Sequence, residues 1–381
     1  MSDMTTRRLR AGIVGGGRGA FIGTVHRIAA ELDGQAQLTA GALSSDPTTA
    51  RESARAWYLA RSYDSYEQMA LTEAKLDDGI DFVIVATPNH LHYAVAKAFI
   101  EAGIHVICDK PLAYAVSEAE EMVRLEALGG PLLALTHNYT GYPLVRQARE
   151  LVRSGELGEL RKVLVEYNQD WLMMPLERQG NKQAEWRTDP ARAGVSCCVA
   201  DIGTHAAQLV EFITNQKITA VCAELTTFVA GRQLEDDANI LLRLEGSTRG
   251  TLVCSQIACG EENNLNIRLY GSTGGLEWHQ QEPNTLIFKP PASDPWRYLR
   301  TARGGLGISA QSATRMPAGH PEGYLEAFAV IYRNFIKDIR RVAAGAVPKR
   351  DYPSAQEGLR GLRFVDATVR SAQRGTRWEN V

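Results

Sequence analysis

The chain has 381 residues, of which 44% are hydrophobic, 23% charged and 7% aromatic, a composition typical of globular proteins. A single core rarely serves more than about 250 to 300 residues, so the length predicts two domains. Lys and Arg number 42 and Asp and Glu 44, and the net charge of −2 gives no attraction for nucleic acid or for an anionic membrane surface. A small neutral partner is expected instead.

The sequence predicts neither a membrane span nor an export signal. No apolar run approaches the roughly 20 residues that cross a bilayer. Arg7 and Arg8 precede an apolar run, residues 9–14, that is too short for a signal peptide and leads into a glycine loop. The six cysteines form no C-x-x-C pair and no cluster with histidine, so no metal site and no disulfide framework are indicated. We therefore expect a cytoplasmic protein with reduced thiols.

The first 135 residues alternate strand-like apolar runs with helix-like periodic ones. This alternation is typical of βαβ units, which predicts a buried parallel sheet and an α/β domain. The predicted strands are residues 9–14, 38–43, 82–86, 105–108 and 132–135, and the predicted helices are residues 25–32, 48–59, 91–102 and 117–127.

After residue 136 a helix, residues 143–154, is followed by strand-like runs with few helices between them. Such a run of strands predicts an α+β domain with a mostly antiparallel sheet. The predicted strands are residues 161–169, 218–229, 238–244, 250–256, 264–270, 276–278 and 286–288. Residues 323–344 and 355–371 have helical periodicity and are expected to pack back on the first domain. Residues 290–319 are rich in Gly, Pro and Arg and predict a long loop near the active-site mouth or a subunit contact.

A glycine loop follows the first predicted strand directly. Gly15, Gly17 and Ala20 match G-x-G-x-x-A between a strand and a helix, the pattern that places a pyrophosphate at a helix N-terminus. Gly23 could instead supply the third small residue. The predicted cofactor contacts in this loop are Gly15, Gly17, Arg18, Gly19, Ala20, Phe21 and Ile22.

The end of the second predicted strand bears on the choice of nicotinamide cofactor. NAD-binding sheets carry an acid there for the ribose hydroxyls, whereas this chain has Ser44 and Ser45, both predicted cofactor contacts. Asp46 alone could replace the acid, and Arg51 could accept a 2′-phosphate. NAD is favoured, and NADP stays open.

Four motifs stand in a fixed order along residues 9–205: the glycine loop, A-T-P-N-H-L-H at 86–92, A-G-I-H-V-I-C-D-K-P at 102–111 and D-I-G-T-H at 201–205. Their order and spacing resemble the Gfo/Idh/MocA oxidoreductases. The resemblance implies a Rossmann dinucleotide-binding domain over residues 1–137, an open-faced sheet domain over residues 138–381, a nicotinamide cofactor, and sugar or cyclic polyol substrates. Asp109 stands where the family more often has Glu.

Three residues are predicted to carry the chemistry. His205 resembles the family's general base, and Asp201, four residues earlier, would share one helix face with it and bind the substrate or orient the imidazole. Lys110 ends a strand at the ligand-binding edge, where its ammonium can stabilise alkoxide charge. The alternatives are a capping aspartate, a packed histidine and a solvated lysine. Whether the bond before Pro111 is cis stays open.

Further contacts are predicted around these three. The predicted cofactor contacts are Thr87, Pro88, Asn89, His92, Asp109, Lys110, Trp186 and Arg187. The predicted substrate contacts are Lys110, His137, Tyr139, Tyr142, Trp171, Asp201, His205 and His320. For the histidines and tyrosines, a helix N-terminus or a packed domain junction is the alternative.

The predicted function is NAD(P)-dependent oxidation of a secondary hydroxyl of a cyclic polyol or sugar. Residues 41–45, 136–142 and 320–324 resemble the branch of inositol and L-glucose dehydrogenases, which implies substrates such as scyllo-inositol, myo-inositol or L-glucose. An NAD-dependent glycosidase or glycoside 3-oxidoreductase and a non-catalytic cofactor-binding regulator are the alternatives. Apolar strand positions at Val221, Leu225, Leu241 and Leu252 predict a homodimer or homotetramer.

Overall fold

The computed structural model describes residues 6–291 and 294–381, which form two compact units. The first unit comprises the described residues through Asn138 together with Tyr324–Leu359, and the second comprises Tyr139–Gly323 and Arg360–Val381. The first boundary between the two units follows Asn138, one residue after the predicted domain boundary at residue 137. Residues 324–359 belong to the first unit, although the predicted division places them in the C-terminal domain.

The first unit contains a six-stranded sheet in the order β3-β2-β1-β4-β5-β6, with every pair parallel. This is the strand order of a dinucleotide-binding Rossmann sheet. The strands are β1 (Leu9–Gly15), β2 (Ala36–Ala42), β3 (Arg61–Ser62), β4 (Phe82–Ala86), β5 (His105–Cys108) and β6 (Leu133–Leu135). The helices between them are α1 (Phe21–Glu31), α2 (Pro47–Ala56), α3 (Tyr66–Glu73), α4 (His92–Glu101) and α5 (Val116–Ala127).

The second unit contains a nine-stranded mixed sheet in the order β14-β13-β12-β11-β7-β10-β9-β8-β15. The pair of β7 and β10 is parallel, and the other pairs are antiparallel, which confirms the predicted mostly antiparallel sheet. The strands are β7 (Leu160–Asn168), β8 (Ile218–Thr226), β9 (Asp237–Leu244), β10 (Arg249–Ser255), β11 (Asn264–Gly271), β12 (Gly275–His279), β13 (Thr285–Lys289), β14 (Arg297–Arg300) and β15 (Glu379–Asn380). The helices are α6 (Pro143–Arg153), α7 (Lys182–Arg187), α8 (Pro190–Ala193), α9 (Thr204–Thr214) and α10 (Ile308–Ala313).

Two long helices end the chain. Helix α11 (Tyr324–Ala343) lies in the first unit and packs beside α1, with Phe335 edge-on to Phe82 of β4 at a ring distance of 5.9 Å. Helix α12 (Ala355–Gln373) belongs to the first unit through Leu359 and to the second from Arg360. Within the described ranges, 6–291 and 294–381, no helix has the length and apolarity to cross a membrane.

The prediction of one long loop over residues 290–319 is wrong. Strand β14 pairs with β13, and α10 packs against α6 through Ala310 and Ala313, which are both buried. The strand gave no signal because its residues are mostly exposed and two of the four are arginines. The helix gave none because alanines carry little apolar periodicity.

The argument for oligomerisation from apolar strand positions fails at two of its four residues. Val221 and Leu252 are completely buried within the chain itself, because they lie on the covered face of the sheet. Leu241, in contrast, is 50% exposed. The oligomeric state stays a prediction.

Candidate active site

The glycine loop joins β1 to α1 through backbone conformations that favour glycine. Gly15 and Gly16 have φ values of +78° and +69°, and a Cβ on Gly15 would lie 2.7 Å from the carbonyl oxygen of Ala86. Ala20 is the N-cap of α1, whereas a Cβ on Gly23 would lie 1.9 Å from the oxygen of Gly16. The close approach of helix and loop therefore falls at Gly23, the alternative considered for the third position of the motif.

Gly23→Ala is expected to displace α1 from the loop and to weaken NAD binding by about tenfold or more, because the loop would no longer present its N–H groups together. Titration of protein fluorescence with NADH measures the dissociation constant. Gly130→Ala is the matched control, since its Cβ would meet nothing closer than the Leu125 oxygen at 3.8 Å. Unchanged NADH affinity in Gly23→Ala would contradict the role of this glycine.

The loop lies where the strand order of the sheet reverses. Strands β1 and β4 are neighbours, and Gly15 at the end of β1 approaches Ala86 and Thr87 at the end of β4. The Thr87 hydroxyl is buried and has no hydrogen-bond partner within residues 6–291 and 294–381. The glycines leave the backbone of the loop open to close approach, and the Thr87 hydroxyl beside it is available to bond a ligand. Both features fit a dinucleotide bound at this edge of the sheet.

The other predicted loop contacts differ in exposure. The Arg18 amide donates to Ser53 Oγ at 3.0 Å, and its side chain is largely exposed beside Glu52. Phe21 begins α1 with a ring that is 72% exposed, whereas Ile22 packs against the core of the first unit.

Asp46 and Arg51, the two charged residues that could decide between NAD and NADP, each already contact another residue of the chain. Asp46 caps α2 by accepting the Thr49 amide at 2.7 Å, and the hydrogen bonds from Thr49 hold the pKa of its carboxyl below the ordinary value. Arg51 lies 3.7 Å from Asp64 on the exposed face of the helix. Ser44 Oγ accepts the Asp46 amide at 3.1 Å. The end of β2 therefore presents serines rather than a free acid or a free guanidinium.

Lys110 follows β5 and is half-buried. Its amide donates to Asp109 Oδ1 at 2.9 Å, and the Thr136 hydroxyl donates to the same oxygen at 2.9 Å. Burial disfavours the Asp109 carboxylate, but the His26 imidazole, whose Nε2 lies 3.8 Å from Oδ1, and the positive charge of Lys110 outweigh it, so its pKa lies far below the ordinary value. Asp109 is therefore a carboxylate that these hydrogen bonds hold in place next to Lys110. The Lys110–Pro111 peptide is cis.

Two of the predicted site histidines, His92 and His137, are buried. His92 lies with Nδ1 2.6 Å from the Pro111 oxygen and Nε2 2.9 Å from the Thr87 oxygen, so it links the loops after β4 and β5. Burial lowers the pKa of His92 despite the charge of Asp109. Burial and the charge of Lys110 lower the pKa of His137 to about 3, so this ring stays neutral near pH 7. Asn89, which begins a short 3₁₀ turn after Pro88, is also buried.

Asp201 lies in the second unit in a π-helical turn, Val199–Gly203, that leads into α9. The helix is thus π-helical up to Gly203 and α-helical from Thr204, and a separation of four residues is close to one full turn in either geometry. That Asp201 and His205 reach the same ligand stays a prediction. The buried Glu235 carboxylate holds the start of this turn, accepting the amides of Cys197 and Val199 at 3.1 and 3.0 Å and the Ser196 hydroxyl at 2.5 Å.

Glu235→Ala is expected to lower the free energy of unfolding by about 3 kcal/mol, because it leaves three buried donors without an acceptor. Glu235→Gln keeps an acceptor oxygen and should cost only about 1 kcal/mol. Urea denaturation followed by tryptophan fluorescence measures both. Equal losses in the two variants would show that the carboxylate oxygen does not hold the turn.

The Asp201 carboxylate accepts two hydrogen bonds, from Arg187 Nε at 3.2 Å and from Gln256 Nε2 at 2.8 Å. The Arg187 guanidinium lies 4.1 Å from the ring centre of Trp186 and 5.6 Å from that of Trp171. The structure thus gathers three predicted residues, Trp171, Trp186 and Arg187, around Asp201. Gln256 was not predicted as a site residue, because the sequence places it only as the last residue of the predicted strand 250–256.

His205 packs among aromatic rings. The Tyr139 and Tyr167 rings meet its imidazole at centroid distances of 5.0 and 6.3 Å, and their hydroxyl oxygens lie 2.5 Å apart. The Tyr167 hydroxyl donates to Asn263 Oδ1 at 2.7 Å. Tyr142 is buried and stacks on Tyr139, which is the packed environment considered as its alternative. Tyr167 and Asn263 were not predicted.

His320 lies in a different cluster of the second unit. It is exposed and lines a cavity with Arg300, Thr301 and Arg303, and neither Asp201 nor His205 is among the residues that line this cavity. The roles predicted for His320 and for the other site residues stay predictions.

Comparison with known proteins agrees with both units. The NAD-binding Rossmann fold model of the Gfo/Idh/MocA oxidoreductase family matches residues 9–137, and the model of the family's C-terminal domain matches residues 145–277. An inositol dehydrogenase homologue from Azotobacter vinelandii, solved with NAD⁺, is 35% identical with a TM-score of 0.95, covering 99% of this chain and 98% of that one. Its structure with NADH and myo-inositol has a TM-score of 0.91 at 34% identity, covering 99% of both chains. Levoglucosan dehydrogenase of Pseudarthrobacter phenanthrenivorans is 26% identical over 98% of each chain.

The Rossmann sheet with its glycine loop, the large mixed sheet of the second unit and the matching relatives define an NAD(P)-dependent oxidoreductase acting on CH–OH groups. The chain belongs to the Gfo/Idh/MocA family.

Proposed function

We propose that this protein oxidises a secondary hydroxyl of a cyclic polyol or pyranose sugar with NAD as the acceptor. The observation that carries the proposal is Asp201, held by Arg187 and Gln256 four residues before His205. Two related proteins support the substrate class, the inositol dehydrogenase homologue with myo-inositol and levoglucosan dehydrogenase. The serines at the end of β2 leave NADP as the second candidate cofactor.

Each of the three residues has a distinct task in this proposal. His205 takes the proton of the reacting hydroxyl, and Lys110 donates a hydrogen bond to the oxygen as it becomes an alkoxide. Asp201 accepts a hydrogen bond from a substrate hydroxyl, with Arg187 orienting its carboxylate. The nicotinamide, when bound, accepts the hydride from the carbon.

The test is a panel assay of reduced-nicotinamide absorbance. The purified protein is mixed with NAD or NADP and with scyllo-inositol, myo-inositol, L-glucose, D-glucose or levoglucosan. We expect absorbance to grow with NAD and a few cyclic substrates. Chromogenic glycosides are included because release of an aglycone without accumulation of NADH would identify the alternative, an NAD-dependent glycosidase. Absence of turnover with every pair, despite NADH binding, would refute the proposed substrate class.

A further inference from the structure

The second unit has a cavity with a volume of about 510 Å³, within the range of small-molecule sites. It lies where the β13–β14 hairpin ends, between the turn before β13 and residues 319–321. The residues that line it are Asn284, Arg300, Thr301, Arg303, Gly319, His320 and Pro321.

The charged groups of this cavity have one sign. Two guanidinium groups and an imidazole line it, and no carboxylate does. Arg300 Nη1 donates to Thr285 Oγ1 at 2.9 Å, and no hydrogen bond or ion pair of the Arg303 side chain occurs among the residues that the structure describes. The nearby Glu322 carboxylate is paired with another cation, since its Oε2 lies 3.7 Å from Arg315 Nη1, and its Oε1 accepts the amides of Arg315 and Met316 at 2.5 and 2.8 Å.

Thr301 provides a second and independent observation. It is only 7% exposed, it lines the cavity, and its hydroxyl oxygen is buried without a hydrogen-bond partner in the described part of the chain. An unsatisfied buried hydroxyl costs about 1 to 3 kcal/mol, so such groups normally have a partner. A ligand oxygen that entered the cavity and displaced the atoms now covering this hydroxyl would supply one.

The walls of the cavity are fixed to one another through Asn284. The side-chain Nδ2 of Asn284 donates to the backbone oxygen of Glu322 at 2.8 Å, and Oδ1 accepts the backbone amide of Glu322 at 3.3 Å. The backbone oxygen of Asn284 accepts the Thr301 amide at 3.3 Å. These bonds join the turn before β13, the end of β14 and the segment that follows His320. The backbone segments that carry the donors are therefore fixed before a ligand arrives, which lowers part of the entropic cost of binding.

We propose that this cavity binds a small molecule through a phosphate group. Several guanidinium, imidazole and hydroxyl donors along one cavity suit a tetrahedral oxyanion with several acceptor oxygens, whereas a planar carboxylate would use fewer of them. The volume leaves room for the organic part of a phosphate ester. This site is separate from the cluster around Asp201 and His205, whose residues do not line it.

The experiment titrates the full chain with inorganic phosphate and with glucose 6-phosphate by isothermal titration calorimetry, at constant ionic strength set with sodium chloride. Saturating NADH is present so that phosphate cannot occupy the glycine loop. Arg303→Ala and Thr301→Val are compared with the unaltered protein. Arg297→Ala is the matched control, because Arg297 lies on β14, the strand that precedes Thr301 and Arg303, pairs with Glu156 at 3.6 Å and does not line the cavity.

We expect saturable binding of both ligands, with the dissociation constant raised about tenfold by Arg303→Ala, raised severalfold by Thr301→Val and unchanged by Arg297→Ala. If Thr301→Val does not fold, Thr301→Ser, which keeps the hydroxyl and should bind normally, and the exposed Arg303→Ala decide the question. Absence of saturable binding, equal affinity in Arg303→Ala, or equal displacement by acetate would overturn the proposal. None of these outcomes depends on dehydrogenase turnover, so the proposed function stands or falls separately.

Discussion

Replacing Lys110 with alanine is expected to lower kcat about 1,000-fold, because the variant loses the hydrogen-bond donor and charge that stabilise the developing alkoxide. The structure places this side chain directly after β5, at the sheet edge where Rossmann domains bind ligands, with the anchored Asp109 carboxylate before it. The glycine loop is untouched by the change. Affinity for NADH should therefore stay within about threefold of the original.

The measurement pairs steady-state turnover of the best polyol with an NADH fluorescence titration. Lys97→Ala is the control, because Lys97 lies on the surface of α4 beside Glu101, 3.8 Å away, and should leave both quantities unchanged. A Lys110→Ala variant that keeps a tenth or more of kcat would rule out the electrostatic role. A variant that loses NADH affinity together with kcat would show that the lysine supports cofactor binding instead.

The first unit was largely predictable from sequence because its sheet is covered on both faces. Strands such as β4, with every residue buried, read as continuous apolar runs, and the predicted bounds of β4 and β5 agree with the structure. The glycine loop could be found because its chemistry depends on adjacent residues. In contrast, β3 and α3 escaped prediction, since a two-residue strand containing Arg61 and a helix with little amphipathicity give no periodic signal.

The partners of the candidate site could not be predicted because they come from distant parts of the chain. Gln256 is 55 residues from the aspartate it contacts, and Glu235 is 38 residues from the Cys197 amide. Sequence spacing shows which residues share a local element, but not which residue of another strand reaches it. The π turn at Asp201 could not be predicted for the same reason, since the amides that begin it are held by the carboxylate of Glu235, which lies in another segment.

His205→Gln is expected to lower kcat by about 100-fold to 10,000-fold, because glutamine cannot accept a proton near neutral pH. The substitution keeps a polar side chain of similar length against Tyr139 and Tyr167, so the aromatic packing of the second unit should survive. Since the ring is only 7% exposed, the imidazole reaches solvent over a small area, which suits a base that serves one bound hydroxyl.

Added imidazole separates a lost base from a disturbed fold. Turnover of a second variant, His205→Ala, which leaves space for the ring, should recover in proportion to imidazole concentration, while KM for the polyol changes little, because the missing function is proton acceptance. His279→Gln is the matched control, since His279 lies on β12, is 41% exposed at the side chain, pairs with Glu277 and should leave turnover unchanged. If His205→Gln kept kcat within tenfold of the original, or if imidazole had no effect on a folded variant, the proton would have to leave through another group, and Asp201 would be the next residue to replace.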